Sequence, residues 1–254
     1  MTSSPAVARA IALLREANHA VALTGAGIST PSGIPDFRSP ESGVWDRVDP
    51  IEVASIYAFR HNPAAFFDWI RPLAHKILHA RPNPAHLALA ELEKYGRLQA
   101  VITQNIDLLH SKAGSQTVYE VHGSLRRATC QGCHEQTEAL PMWQQFAQNN
   151  KIPTCASCGA VLKPNVVLFG ELLPTIIMHL AQEAARKCDL MLVAGSSLEV
   201  APAGDLPLLA KQAGARLIIV NLGPTHMDRE ADLLFREDVA ELLPLLAAPF
   251  AIEK

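Results

Sequence analysis

Four of the five cysteines fall into two pairs with the spacing of metal ligands. Cys130 and Cys133 form one C-x-x-C unit, Cys155 and Cys158 form the other, and 21 residues separate the two units. Two such turns complete a tetrahedral four-sulfur shell, which is typical of zinc and leaves no position for water or substrate. The spacing predicts a structural zinc site, against the alternatives of two redox pairs or a chance arrangement. Cys188, which stands alone, is expected to be a small buried apolar residue.

A glycine-rich stretch, Gly25-Ala26-Gly27-Ile28-Ser29-Thr30, follows a predicted strand at residues 19–24. Glycines there let the backbone approach a pyrophosphate, which the N–H groups of a following helix can bind. Thr30 stands where the usual dinucleotide fingerprint has its third glycine, so the loop alone leaves nucleotide binding and an ordinary turn equally open. Phe37 can cover a flat cationic ring, and Arg38 can pair with phosphate. The alternatives are that Phe37 is a core residue and that Arg38 is a surface charge.

Polar side chains follow the next predicted strands. Gln104-Asn105-Ile106-Asp107 follows residues 98–103, where its amide and acid groups can bond ribose hydroxyls and a carboxamide, or cap a helix. His122 follows residues 117–121 and can act as a general base near neutral pH, although an isolated histidine is more often exposed or structural. Residues 190–194 and 216–220 lead into Gly195-Ser196-Ser197 and Asn221-Leu222-Gly223, which suit close contact with a nucleotide.

Alternating strands and helices are predicted to position these groups. Helices are expected after Ser4 and over residues 63–79, 84–95, 175–187, 202–212 and 239–246, with one more strand at residues 165–169. This alternation predicts an α/β fold with a doubly wound parallel sheet, whose strand ends converge on one crevice. Residues 126–163 differ in composition, hold the cysteine pairs, and are interpreted as an inserted module.

Composition narrows the class of protein. The chain has 254 residues, 49% of them hydrophobic, and a formal net charge of -3, so direct nucleic acid binding is not expected. No apolar run is long enough to span a membrane, and the N-terminus lacks the pattern of a secretory signal. With cysteines spaced for metal rather than disulfides, a cytoplasmic protein is expected. The oligomeric state is left open, a monomer being one alternative.

Taken in order, these motifs resemble the sirtuin family, and most of all its bacterial single-domain NAD-dependent protein deacylases. The similarity runs from about residue 20 to residue 239 and includes Gly33-Ile34-Pro35-Asp36-Phe37-Arg38 after the glycine loop. It implies a Rossmann-like NAD-binding domain of residues 1–37, 83–124 and 164–254. It also implies a small domain made of a helical module, residues 38–82, and a zinc-ribbon-like module, residues 125–163.

The resemblance also implies roles for individual residues. His122 and Asn105 would be catalytic. The NAD site would be formed by Ala26, Thr30, Phe37, Arg38, Gln104, Ile106, Asp107, His122, Gly195, Ser196, Ser197, Asn221, Leu222 and Val239. An acyl-lysine protein or peptide would add as a strand along Asn165, Val166, Val167, Phe169, Gly170 and Glu171.

The activity implied by the resemblance is removal of an acyl group from a protein lysine with consumption of NAD, yielding nicotinamide and O-acyl-ADP-ribose. His122 would take a proton from the ribose hydroxyls. A mono-ADP-ribosyltransferase on the same scaffold is the first alternative, and a non-catalytic NAD-binding or zinc-ribbon module is the second.

Acetyl or another apolar acyl group is the expected substrate. Relatives that remove acidic acyl groups carry a Tyr-x-x-Arg pair in the helical module, and this chain has Tyr57 and Arg60. That pair precedes the expected position, however, where this sequence has Ile70 and Leu73. We therefore interpret the Tyr57/Arg60 pair as a coincidence.

Overall fold

A six-stranded parallel sheet forms the centre of the computed structural model, which describes residues 4–36 and 49–252. The strands of the described residues are β1 (Ala20–Thr24), β2 (Ala100–Thr103), β3 (Val118–Glu120), β4 (Gly123–Cys130), β5 (Gln136–Glu138), β6 (Leu162–Val166), β7 (Leu190–Ala194), β8 (Arg216–Val220) and β9 (Leu233–Phe235). The main sheet has the order β3-β2-β1-β7-β8-β9, and each neighbouring pair is parallel.

The helices of the described residues are α1 (Pro5–Glu16), α2 (Pro50–Ala54), α3 (Ile56–His61), α4 (Pro63–His79), α5 (Pro84–Lys94), α6 (Leu109–Ala113), α7 (Ala139–Asn149), α8 (Thr175–Lys187), α9 (Leu206–Gln212) and α10 (Val239–Ile252). Helix α1 begins as predicted, because the Ser4 hydroxyl accepts from the Val7 N–H and Pro5 occupies the first turn. None of the described helices combines the length and apolar character that a membrane span needs.

The central strands are buried on both faces, as expected for a parallel sheet covered by helices. Every residue of β1, β2 and β7 is buried. One apolar core, which includes Leu14, Leu89 and Leu243, covers one face of the sheet, and a second, which includes Ala185 and Leu206, covers the other. The strand order reverses between β1 and β7, and ligands bind at such a point in open α/β sheets.

A small module is formed by α2 to α4, α7 and a second sheet of order β5-β4-β6. It lies against the carboxyl ends of the main-sheet strands. Its strands pair antiparallel. Helices α4 and α7 share one core, in which the Phe67 ring lies 5.2 Å from the Phe146 ring and 6.3 Å from the Trp143 ring. Helix α4 and the cysteine-containing segment therefore pack together as one unit.

The doubly wound parallel sheet is confirmed, but several predicted elements differ from the structure. The strand expected at residues 165–169 is β6, which begins at Leu162 and pairs antiparallel with β4 instead of joining the main sheet. The helix expected at residues 202–212 is a 3-10 turn, Ala203–Asp205, followed by α9. Strand β9 and helix α7 were not predicted, because β9 is only three residues long and α7 lies in the segment interpreted by its cysteines.

Candidate functional site

One cleft of about 710 Å³ lies between the carboxyl edge of the main sheet and the small module. It is lined from the sheet side by the loops after β1, β2, β7 and β8, and from the other side by α4 and the segment after β6. The predicted site residues in its wall are Ala26, Thr30, Gln104, Asn105, Ile106, His122, Val166, Val167, Phe169, Gly170, Glu171, Gly195, Ser196, Ser197, Asn221, Leu222 and Val239. Residues from distant parts of the sequence therefore converge on one concave site.

The floor of the cleft is a contact between two loop backbones. The Gly27 N–H donates to the Gly195 carbonyl oxygen over 2.9 Å. A Cβ atom at Gly25 would lie 2.9 Å from the Gly195 oxygen, and one at Gly195 would lie 2.3 Å from the Ile28 nitrogen. Gly195 also has φ +62°, in the left-handed region that favours glycine. These glycines are therefore required for packing of the two loops, besides any approach to a phosphate.

No α-helix begins within residues 25–36, the described stretch that contains the glycine loop. Two short 3-10 turns, Ala26–Ile28 and Thr30–Ser32, take its place up to Asp36. The following helix that was expected to offer its N–H groups is therefore present in this stretch only as short 3-10 turns.

His122 is held by the end of β2. Its Nδ1 lies 3.1 Å from the Gln104 carbonyl oxygen. Because a carbonyl only accepts, Nδ1 carries the proton and Nε2 of the neutral ring has a free lone pair. Burial lowers the pKa of His122, and the bond to Gln104 opposes this shift. The ring is therefore neutral at pH 7 and able to accept a proton in the cleft.

Gly123 allows the chain to turn directly after His122. A Cβ atom at Gly123 would lie 2.2 Å from the Asn165 oxygen, and its φ is +76°. The Val167 N–H donates to the His122 oxygen over 2.8 Å, so the backbone of His122 is bonded to the small module as well.

A buried chain of polar groups lies behind the glycine loop. The Asn105 amide nitrogen donates to the Gly25 oxygen at 3.0 Å and to the Ser29 hydroxyl at 3.1 Å. The Ser29 hydroxyl donates to Asp107 Oδ2 over 2.6 Å, and the Leu109 N–H donates to Oδ1 over 2.9 Å. Burial raises the pKa of Asp107, and these two hydrogen bonds and nearby Lys112 counteract that effect.

Gln104, which the resemblance places at the nicotinamide-side ribose, and Asn221, which it places at the adenosine end, each hold the loops of the cleft by hydrogen bonds within the chain. Gln104 Nε2 donates to the Ser196 hydroxyl over 2.9 Å, which joins the ends of β2 and β7. Asn221 Nδ2 donates to the Gly223 oxygen over 2.9 Å, and the exposed Leu222 lies between them. Val239 begins α10 and lines the same end of the cleft.

The small module contributes an apolar wall. Its members are Phe66, Trp69, Ile70, Leu73, Val166 and Leu168, with Ile106 from the sheet side. Tyr57 is 72% exposed, Arg60 is exposed, and neither lines the cleft. Among the described lining residues there is no Lys or Arg. An acidic group in this part of the cleft would have no cationic partner among them.

The four paired cysteines form a cluster that fits zinc. Their sulfur atoms lie within 4.8 Å of one another, with Cys130 and Cys158 at 3.4 Å and Cys133 and Cys155 at 3.7 Å. A tetrahedral zinc with Zn–S bonds of about 2.3 Å requires sulfurs about 3.8 Å apart. The Cys133 N–H, and that of Gly132, lower the pKa of the Cys130 thiol to about 6 and favour the thiolate. None of the four cysteines lines the cleft, so this site can hold a structural zinc.

The remaining predicted residues are placed differently. Phe37 and Arg38 lie outside the described residues. Asp107 is 4% exposed, and Asn165 bonds through Oδ1 to the Thr129 hydroxyl; neither lines the cleft in the described part of the chain. Phe66, Trp69 and Glu199 also line the cleft but were not predicted as site residues. Only the first two carried a signal, because they share helical spacing with Ile70 and Leu73.

Comparison with known proteins agrees with this geometry. Residues 25–202 match the Sir2 family. The chain is 48% identical to "NAD-dependent protein deacylase 2" of Archaeoglobus fulgidus, over 94% of this chain and 93% of that protein. It is 44% identical to "NAD-dependent protein deacetylase 1" of Geobacillus kaustophilus, over 91% of this chain and 93% of that protein.

Solved structures give the same result. A structure described as a basis for the mechanism and regulation of Sir2 enzymes has a TM-score of 0.90 at 45% identity, with 98% of each chain covered. A Sir2 protein bound to a propionylated peptide has a TM-score of 0.86 at 39% identity, covering 97% of this chain and 99% of that one. The fold and site define a Rossmann-like protein with a small zinc-binding module. The chain belongs to the Sir2 family, the sirtuins.

Proposed function

We propose that this protein removes acetyl and other small apolar acyl groups from protein lysines with consumption of NAD. Its relatives in Archaeoglobus fulgidus and Geobacillus kaustophilus are named as an NAD-dependent deacylase and an NAD-dependent deacetylase. The observation that carries the proposal is that the glycine loops, the His122 imidazole and an apolar wall line one cleft. A nucleotide, a base and an apolar acyl chain can therefore meet there.

NAD, when bound, supplies a ribose carbon from which nicotinamide departs as a neutral molecule. The loops after β1, β2, β7 and β8 line the sheet side of the cleft and are the groups that would hold it. Positioning accounts for much of the rate, because the amide oxygen of an acyl-lysine is a weak nucleophile. The rigid contact between Gly27 and Gly195 supports such positioning.

His122 is the general base in this proposal. Its Nδ1 proton is engaged by Gln104, so Nε2 is the atom that accepts a proton from a ribose hydroxyl. Burial keeps the ring neutral at pH 7. No third group is needed to remove a proton from it first.

Asn105 presents an acceptor to the cleft. Both hydrogens of its amide nitrogen are directed at Gly25 and Ser29, so Oδ1 is the atom left to bind a hydroxyl or a water. We assign the contact with the nicotinamide carboxamide to Ile106 and Asp107, although the Asp107 carboxylate is bonded within the chain by Ser29 and Leu109. Each of its oxygens keeps a second lone pair, but Asp107 is buried and does not line the cleft, so a direct contact requires its side chain to become accessible from the cleft.

The acyl group would lie against the apolar wall. Ile70, Leu73 and Trp69 on α4 supply aliphatic and aromatic surface but no charge. A succinyl carboxylate would be desolvated there without a described partner, which is costly. Acetyl, propionyl and similar groups are consequently the preferred substrates.

The test is to incubate the protein with NAD and a panel of acetyl-, propionyl- and succinyl-lysine peptides and to identify products by mass. We expect free lysine peptide, nicotinamide and O-acyl-ADP-ribose, with acetyl turned over faster than succinyl. A preference for succinyl would contradict the apolar assignment. A peptide whose mass increases by one ADP-ribose group, with no deacylation, would support the mono-ADP-ribosyltransferase alternative instead.

A further inference from the structure

Lys163, which is buried, and Glu171, which is half-buried, form an ion pair at the rim of the cleft. Lys163 Nζ lies 2.9 Å from Glu171 Oε2, and the two side chains are only 10% and 25% exposed. Lys163 belongs to β6 and does not line the cleft, whereas Glu171 does. The pair therefore connects the interior of the small module to the wall of the site.

The ammonium group of Lys163 is fully hydrogen-bonded. Besides Glu171, it donates to the Val166 oxygen over 2.9 Å and to the Pro164 oxygen over 3.3 Å. An ammonium has three N–H groups, and each has an acceptor here. Burying a cation is unfavourable unless such partners are present, so the geometry around Lys163 is closely specified.

Glu171 is hydrogen-bonded to the backbone of Leu168 in addition to its contact with Lys163. Its Oε2 accepts from the Leu168 N–H over 2.8 Å, and its own N–H donates to the Leu168 oxygen over 3.0 Å. The backbone from Val166 to Glu171 is thus held by one cation and one carboxylate. We call residues 166–171 the edge segment.

Strand pairing ends where the edge segment begins. Val166 is the last residue of β6 that pairs with β4, opposite Gly123. Farther along, Phe169 bonds through its N–H to the Ala54 oxygen at 2.9 Å and through its oxygen to the Ile56 N–H at 3.0 Å. The edge segment therefore spans from the His122 region to the helical part of the module, and all six of its residues line the cleft.

We propose that the Lys163–Glu171 pair positions the edge segment to receive the acyl-lysine peptide as an added strand. Strand addition requires an extended edge whose hydrogen-bonding groups are already ordered. The pair orders that edge without contacting the loops that would hold NAD. The inference rests on the proposed function and names the positioning residues for its peptide substrate.

The experiment compares Lys163→Met and Lys163→Gln with the parent protein. Peptide KM is measured at saturating NAD, NAD KM at saturating peptide, and acetyl-lysine peptide Kd by fluorescence anisotropy. We expect Lys163→Met to raise peptide KM and Kd by about tenfold or more while NAD KM stays within about twofold, since only the peptide edge is disturbed. Lys163→Arg, which keeps the cation, is expected to restore most of the peptide affinity.

Lys211→Met is the matched control. It breaks the Lys211–Asp232 pair, which joins Nζ to Oδ2 over 3.1 Å with side chains 24% and 18% exposed, at residues that do not line the cleft. It is expected to leave both KM values at those of the parent.

Three results would overturn the inference: an unchanged peptide KM in Lys163→Met, an equal rise in NAD KM, or the same change in Lys211→Met. If Lys163→Met does not fold, Lys163→Gln decides, because its amide still donates hydrogen bonds but carries no charge, and Lys163, unlike Glu171, does not line the cleft. A parent protein without NAD-dependent deacylation would instead refute the proposed function, and the inference with it. An active parent with a parent-like Lys163→Met refutes the inference alone.

Discussion

The two walls of the cleft are built from different interactions. On the sheet side, backbone contacts backbone: the Gly27 N–H donates to Gly195, and no Cβ atom would fit at either Gly25 or Gly195 without displacing the facing loop. On the side of the small module, side chains carry the structure, through the four-cysteine cluster and the aromatic core around Phe67. The first wall depends on the absence of side chains, and the second depends on particular ones.

This difference implies different sensitivities. A sheet edge built from hydrogen-bonded backbone is insensitive to metal removal but sensitive to a single added methyl group. A module whose core is small relies on its metal, since metal binding free energy is folding free energy in such units. Variants that affect one wall and spare the other test the comparison directly.

Loss of zinc is expected to have the largest effect. Cys130→Ala should abolish zinc binding, which in small zinc units contributes about 10–16 kcal/mol at pH 7. The small module should unfold and deacylation should disappear, while NAD still binds to the sheet side. Zinc content, NAD binding and hydrogen exchange in α7 and β1 measure these outcomes.

Cys188→Ala is the control for that variant, because Cys188 is buried but stands apart from the cluster. It should retain one zinc per chain. If Cys130→Ala removed NAD binding as completely as zinc, the two walls would not be independent.

Gly195→Ala is expected to disrupt the contact between the two glycine loops on the sheet side of the cleft. The new Cβ would lie 2.3 Å from the Ile28 nitrogen, so the two loops must separate. Gly214→Ala is the matched control: Gly214 also has a left-handed φ, +96°, but nothing lies within 4 Å of the added atom. The control should lose only about 1–2 kcal/mol of stability, which is the cost of a left-handed backbone conformation for alanine.

Gly195→Ala should lose clearly more stability than Gly214→Ala, and NAD affinity as well, with zinc retained. Denaturant unfolding and NAD titration compare the two variants. Equal losses in both would mean that φ alone, and not the close loop contact, requires glycine at position 195.

His122 lies between the two walls, and its removal should affect chemistry more than stability. His122→Ala is expected to lower deacylation by about 10²- to 10⁴-fold, the usual cost of losing a general base. Nicotinamide exchange, which needs no base, should persist. The comparison of deacylation with exchange of labelled nicotinamide in this variant is decisive; full deacylation would exclude His122 from the mechanism.

Acid should weaken the sheet side through two buried histidines. Burial lowers the pKa of His86 to about 4 and that of His110 to about 3, and their rings lie 4.8 Å apart. The unfolded chain binds protons below its ordinary pKa of 6.5 while the folded one does not, so stability is complete above pH 6.5 and falls as the pH drops toward 4.

At pH 5 each of these histidines lowers the free energy of unfolding by roughly 2 kcal/mol relative to pH 7, because one pKa unit corresponds to about 1.4 kcal/mol. Unfolding free energies at pH 7 and pH 5, with zinc content checked in each sample, measure this loss. His86→Asn should reduce the pH dependence, whereas the exposed His61→Asn should not. If the loss of unfolding free energy between pH 7 and pH 5 were the same in both variants, the assignment to buried histidines would be contradicted.

Much of the site could be predicted from the sequence because its signals are local. The cysteine spacing predicts one metal, and short apolar runs followed by glycine or polar residues predict parallel strands with a site at their ends. These patterns arise within a few residues of chain, so the sequence alone is enough to assign Gly195, Gln104 and His122 to one crevice. Strand β9 was not predicted, because three residues are too few to show the alternation or the apolar run that indicates a strand.

Other features were decided only by tertiary contacts. The apolar character of residues 165–169 predicts a strand but not its partner, and the structure pairs β6 with β4 because the cysteine turns bring those strands together. Asp107 is a strand-end acid in sequence, yet in the fold it is buried behind Ser29. The Lys163–Glu171 pair has no sequence signature, since eight positions separate two ordinary charged residues. Local chemistry determines which elements form, whereas burial and pairing partners depend on which distant segments meet.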